Sequence, residues 1–161
     1  MKTLIITKKD LDKDNYYCGK ENLSDYSNPF NGHIEIAESL GTVGFKTSLV
    51  VAGSIVAKAG SGITAGEGIT AGWGIKAGYG IACKLTLSFK YRLFAGVSVY
   101  RDKSNEIKTI TCGKLEGGTV CYGEVIETGL PEDGRKSDLL AKADELIAKA
   151  NELKAEAEKL T

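Results

Sequence analysis

The sequence predicts a mainly β protein: a single parallel β-helix (β-solenoid) with an N-terminal cap and a C-terminal α-helix. Three observations carry this expectation. Ten branched apolar residues keep a six-residue spacing: Val43, Leu49 and Ile55, then, after a two-residue slip, Ile63, Ile69, Ile75, Ile81, Leu87, Leu93 and Val99. A period of six fits neither a helix nor a hairpin array, but it fits short strands separated by sharp corners and coiling into a solenoid. The residue two places on is small or apolar as well: Phe45, Val51, Ala57, Ala65, Ala71, Ala77, Cys83, Phe89 and Ala95. Glycine is abundant, 20 residues against 2 prolines, and it is periodic, which marks repeated backbone geometry and not a flexible linker.

Residues 1–32 are irregular. Residues 3–7 suit a strand, and residues 10–31 are rich in Asp, Asn, Ser and Tyr, as turns are. We read them as a cap over the first coil, since a bare solenoid end exposes backbone edges and an apolar cross-section. The solenoid is expected over residues 33–130. Its centre repeats almost perfectly, from Ala59-Gly60-Ser61-Gly62-Ile63-Thr64 through Ala65-Gly66-Glu67-Gly68-Ile69-Thr70 and Ala71-Gly72-Trp73-Gly74-Ile75-Lys76 to Ala77-Gly78-Tyr79-Gly80-Ile81-Ala82. Ile and Ala point inward on either side of one outward residue, and the paired glycines are expected to supply positive-φ corners. From Cys83 the spacing persists while Lys84, Thr86, Lys90 and Arg92 replace the corner glycines. Short strands are expected over residues 109–112, 119–122 and 125–127.

Composition changes after Leu130. Residues 131–161 read as a linker and an amphipathic helix over 137–160, where Leu139, Leu146, Leu153 and Leu160 recur every seventh residue beside Ala143, Ala150 and Ala157. Ser137 suits an N-cap. The Ala/Glu/Lys/Leu economy resembles that of idealised designed helices, which sets an engineered or computationally generated extension beside a natural terminal helix. Such a helix needs an apolar partner, either the solenoid flank or another copy, so a homo-oligomer formed through it is one expectation.

Charge excludes some functions. The 21 basic and 21 acidic residues cancel, so no global field draws the chain to nucleic acid or to a membrane. No apolar run is long enough to span a bilayer, and the opening Met1-Lys2-Thr3-Leu4-Ile5-Ile6 turns polar too soon for a signal peptide. The expectation is a cytoplasmic protein. The cysteines, Cys18, Cys83, Cys112 and Cys121, form no C-x-x-C pair, and Cys83 holds an inward position where other units have alanine. They are expected to be free thiols.

The repeat resembles the hexapeptide-repeat family of parallel β-helices over residues 43–101. That resemblance implies a left-handed coil and brings an acyltransferase relative into consideration. The family usually sets its small inward residue two places before the aliphatic one, whereas here it comes two after. The chain is also similar to small uncharacterised solenoid proteins of gut bacteria and their phages. Acyltransferases of the family use a histidine as general base, on a loop between subunits. This chain has one histidine, His33, ahead of the repeats and without the family's long excursion loop. A structural histidine is the better reading, and a three-histidine zinc site is excluded. The G-x-G runs at Gly66-Glu67-Gly68 and Gly72-Trp73-Gly74 lead into strands and not helices, so they do not cradle phosphate.

No catalytic residue, cofactor or metal is therefore expected. The expected function is a non-enzymatic structural or protein-binding module. A phage-type inhibitor of a host defence protein, such as a CRISPR nuclease, is the alternative, and an acyltransferase relative comes third. The candidate partner surface combines an aromatic stripe, Trp73, Tyr79 and Tyr91, with the basic residues Lys84, Lys90, Arg92 and Arg101. In an 18-residue coil Trp73 would stack above Tyr91, and in a 12-residue coil Tyr79 would. A protein partner is expected, and nucleic acid is disfavoured.

Overall fold

The computed structural model describes residues 1–97 and 108–131. Residues 1–129 form one compact unit; of a second, which begins at Leu130, only Leu130 and Pro131 are described. The described residues of the first unit form thirteen strands: β1 (Lys2–Ile6), β2 (Gly32–Ile36), β3 (Gly41–Phe45), β4 (Leu49–Val51), β5 (Ile55–Ala57), β6 (Ser61–Ala65), β7 (Ile69–Ala71), β8 (Ile75–Ala77), β9 (Ile81–Cys83), β10 (Thr86–Ala95), β11 (Thr109–Cys112), β12 (Lys114–Tyr122) and β13 (Glu124–Glu127).

Among the described residues every strand pairing is parallel, and the pairings fall into three ladders, with β12 laid along β10 beside both ladders that β10 joins. β3, β6, β9, β11 and β13 form one. β4, β7 and the first half of β10 form a second. β1, β2, β5, β8 and the second half of β10 form the third. Each coil thus supplies one strand to each ladder, which is a solenoid-like arrangement. The aliphatic spacing maps onto these ladders. Val43 pairs with Ile63, and Ile63 with Ile81. Leu49 pairs with Ile69, and Ile69 with Leu87. Ile55 pairs with Ile75, and Ile75 with Leu93. All of these side chains are buried, none more than 1% exposed. Each such side chain contributes about 1.5–3 kcal/mol through its burial.

The two-residue slip has a structural cause. The corner after Ala57 carries extra residues, with Gly60 at φ 73° beside Ser39 at φ 60°. The fully buried Ser61 locks it in place: its hydroxyl donates to the Ala37 carbonyl at 2.7 Å and accepts from the Leu40 amide at 3.0 Å. The N-terminal residues cover the first coil as a strand plus two isolated bridges. β1 lies on β2, Tyr16 bridges Gly44 of β3, and Phe30 bridges Val51 of β4.

Three expectations are corrected. The described residues do not form a single uniform β-helix ending in an α-helix. They form two sheets, of eight and five strands, and no α-helix stands among them; Lys8–Asp10 makes a 3₁₀ turn. The two sheets arise because β10 runs without a break through Lys90, Tyr91 and Arg92, where earlier coils turn at glycine. It pairs with β7 at one end and β8 at the other, fusing two ladders into one sheet. The helix expected over residues 137–160 lies outside the described residues, as does Val99. Second, of the glycines of the central repeat only Gly60 has a positive φ; the others, Gly62 to Gly80, do not serve as positive-φ residues. They are required by close approach. A methyl group built at Gly72 would collide with the Ala52 carbonyl oxygen of the preceding coil, and one at Gly66 with that of Lys46. Third, the strand expected over residues 119–122 is part of a longer one, β12.

Two outcomes test this packing. Ile69→Asp places an unpaired charge in a dry core and should lower stability by about 3 kcal/mol or more, read from urea denaturation. Gly72→Ala should lower it by about 1–3 kcal/mol, because backbone of the adjacent coil must yield. An unchanged melting temperature for Ile69→Asp would refute the inward assignment of the aliphatic spacing.

Candidate functional site: an aromatic and basic corner

The corner between the β4–β7 ladder and the β5–β8 ladder is where the sequence stripe partly assembles. The Trp73 amide donates to the Gly53 carbonyl at 3.1 Å, and the Trp73 carbonyl accepts from the amides of Lys90 at 2.9 Å and Tyr91 at 3.0 Å. Trp73 and Tyr91 therefore occupy the same corner on successive coils, which selects the 18-residue stacking. Both rings face solvent, at 45% and 55% exposure, where a core residue would have almost none.

The Trp73 ring is held from behind. Its centroid lies 5.0 Å from that of His33 in an edge-to-face contact. The imidazole is itself fixed, with Nδ1 accepting the Ser54 amide at 3.0 Å. Gly53 lies between them in the stack and leaves the room, since a methyl group there would come within 2.7 Å of Nδ1. His33, Gly53 and Trp73 are spaced twenty apart, the length of the first coil. Sequence reasoning treated His33 as an isolated structural residue. That spacing was the signal that could have placed it beneath Trp73.

Lys90 and Arg92 flank Tyr91 and are exposed. The Lys90 ammonium sits 5.5 Å from the Tyr91 ring centroid, a cation–π contact. Lys76, which points outward from β8 and pairs in register with Phe94, is a further exposed cation on the adjoining face.

The other candidates lie elsewhere. Tyr79 is half-buried on a different corner, its amide bonded to the Ser61 carbonyl at 2.9 Å. Lys84 stands on the third corner, its amide bonded to the Glu67 carbonyl at 3.0 Å. There Ser48, almost fully buried, accepts from the Tyr26 hydroxyl at 3.1 Å and donates to the Glu67 carboxylate at 2.9 Å. This network ties the N-terminal segment to the first two coils. An open groove of about 500 Å³ beside that corner is lined by Tyr16, Lys46, Thr64, Lys84 and Thr111 among others. Arg101 lies outside the described residues.

Among the described residues no group of three His, Cys, Asp or Glu side chains stands close enough to hold a metal ion. The four cysteines are free thiols. Burial pushes the Cys83 thiol up to about 12 and the Cys112 thiol up to about 11, the reverse of what a nucleophile needs. No family model, no curated protein and no solved structure matches the chain.

The raised thiols make a prediction about pH. The native state holds these protons more tightly than the unfolded state, whose thiols titrate near 9, so unfolding releases protons above that pH. The stability they contribute is intact below pH 9 and is lost as pH rises through about 11 and about 12. Urea midpoints should decline from pH 9 upward, and Cys83→Ala with Cys112→Ala should flatten the decline. Iodoacetamide should label the exposed Cys18 and Cys121 first.

Proposed function

We propose that this chain is a protein-binding module that catalyses no reaction and presents the Trp73–Tyr91 corner to its partner. The observation that carries this reading is the pair of half-exposed rings fixed on stacked coils of a rigid parallel scaffold, one of them braced by His33. Aromatic side chains already held in place lose little entropy on binding, and Trp and Tyr are favoured as interface anchors. The six-residue spacing supports kinship with hexapeptide-repeat proteins. The free thiols support a reducing, cytoplasmic setting. A second reading within the same binding role is an inhibitor that covers a working surface of a host defence protein; Lys90 and Arg92 beside the rings favour it, because such a blocker needs only a complementary face.

The test compares proteins captured by the immobilised full chain and by its Trp73→Ala variant, followed by calorimetric titration of the captured species. Trp73→Ala should weaken that complex by roughly 2 kcal/mol or more and leave the melting temperature nearly unchanged. Intact binding with a large loss of stability would make Trp73 a cover for the corner backbone.

A further inference from the structure

We propose that the partner segment seated on the Trp73–Tyr91 corner is acidic, with carboxylates meeting Lys90, Arg92 and Lys76 around an apolar side chain packed on the rings. This inference rests on the protein-binding reading above. The chain is neutral overall, 21 charges against 21, so the cations gathered here are a local excess. Neighbouring acidic groups are engaged elsewhere. Glu35 pairs with Lys58 at 2.6 Å, Glu116 pairs with Lys114, and Glu67 accepts from Ser48 on another corner. Among the described residues no ion pair is formed by Lys76, Lys90 or Arg92. Lys90 is held over the Tyr91 ring, which places positive charge at the rim of the apolar contact, where opposite charge on a partner steers and orients docking. Three cations on a neutral chain suit a short acidic peptide better than a nucleic acid, whose affinity grows with the number of phosphates neutralised.

The experiment uses fluorescence anisotropy of the full chain with a short fluorescein-labelled peptide that alternates glutamate and leucine around one phenylalanine. Its lysine-for-glutamate counterpart and a single-stranded oligothymidylate of similar length are titrated alongside. The acidic peptide should bind and the basic one should not. Lys90→Glu combined with Arg92→Glu should weaken binding about tenfold or more, and Lys76→Glu should weaken it further. Circular dichroism melts confirm that each variant folds; all three positions are exposed. If Trp73→Ala abolishes binding while charge reversal leaves it within about twofold, the corner binds protein but the acidic assignment is wrong. If neither change matters, the binding reading fails with it. Tighter binding of the oligothymidylate than of the acidic peptide would overturn the inference in favour of nucleic acid.

Discussion

The fold depends on a core in which an aliphatic side chain of each ladder stacks on its counterpart in the coil before. Ile63, Ile69 and Ile75 fill one level, and Ile81, Leu87 and Leu93 fill the next, each stacked on its predecessor and each shielded from water. Parallel pairing follows from this, because every coil must repeat the direction of the one before it. The companion row of Ala71, Ala77 and Ala95 keeps the coil narrow, while Phe89 replaces alanine where β10 is longer. Short strands of three residues would be marginal alone. Here β5, β7, β8 and β9 are each secured on both sides by parallel neighbours and beneath by a dry stack.

That regularity explains how much of the fold was legible. A strict spacing reports inward positions directly, so Val43 through Leu93 could be assigned before any coordinates. The slip after Ile55 was visible as well, but its cause was not: Ser61 reads as an ordinary polar corner residue, and only its two bonds to the coil below show why it is buried. The corner glycines beyond Gly60 hold a role that the repeat does not reveal. Left-handed backbone and close backbone approach both demand a missing side chain, and sequence alone cannot separate them. The single-sheet continuity of β10 also escaped notice, because removing glycine from a corner changes hydrogen bonding between ladders without disturbing the spacing.

The candidate surface was legible in part. Trp73 and Tyr91 share a slot in the repeat, and the number of residues per coil decides which aromatic meets which. Once Ile63 pairs with Ile81 the coil is eighteen residues, Trp73 aligns with Tyr91, and Tyr79 moves to another corner. Lys84 separates from Lys90 and Arg92 on the same arithmetic. His33 lies in β2, ahead of the six-residue repeat, so that spacing has no authority over it. Its contact with Trp73 is a property of the assembled stack.

The close approach at Gly66 and Gly72 has a consequence for how such a chain can vary through descent. Those positions admit no side chain without moving a neighbouring coil, and the inward aliphatics admit only their own kind. What is free of backbone collision is the outward residue between the paired glycines: Glu67 on one corner, Trp73 on the next, Tyr79 on the third. Each level of the stack thus carries a three-letter label written on a fixed support. Lineages can rewrite the label while the support stays the same, so kin of this protein could keep the architecture while recognising quite different surfaces.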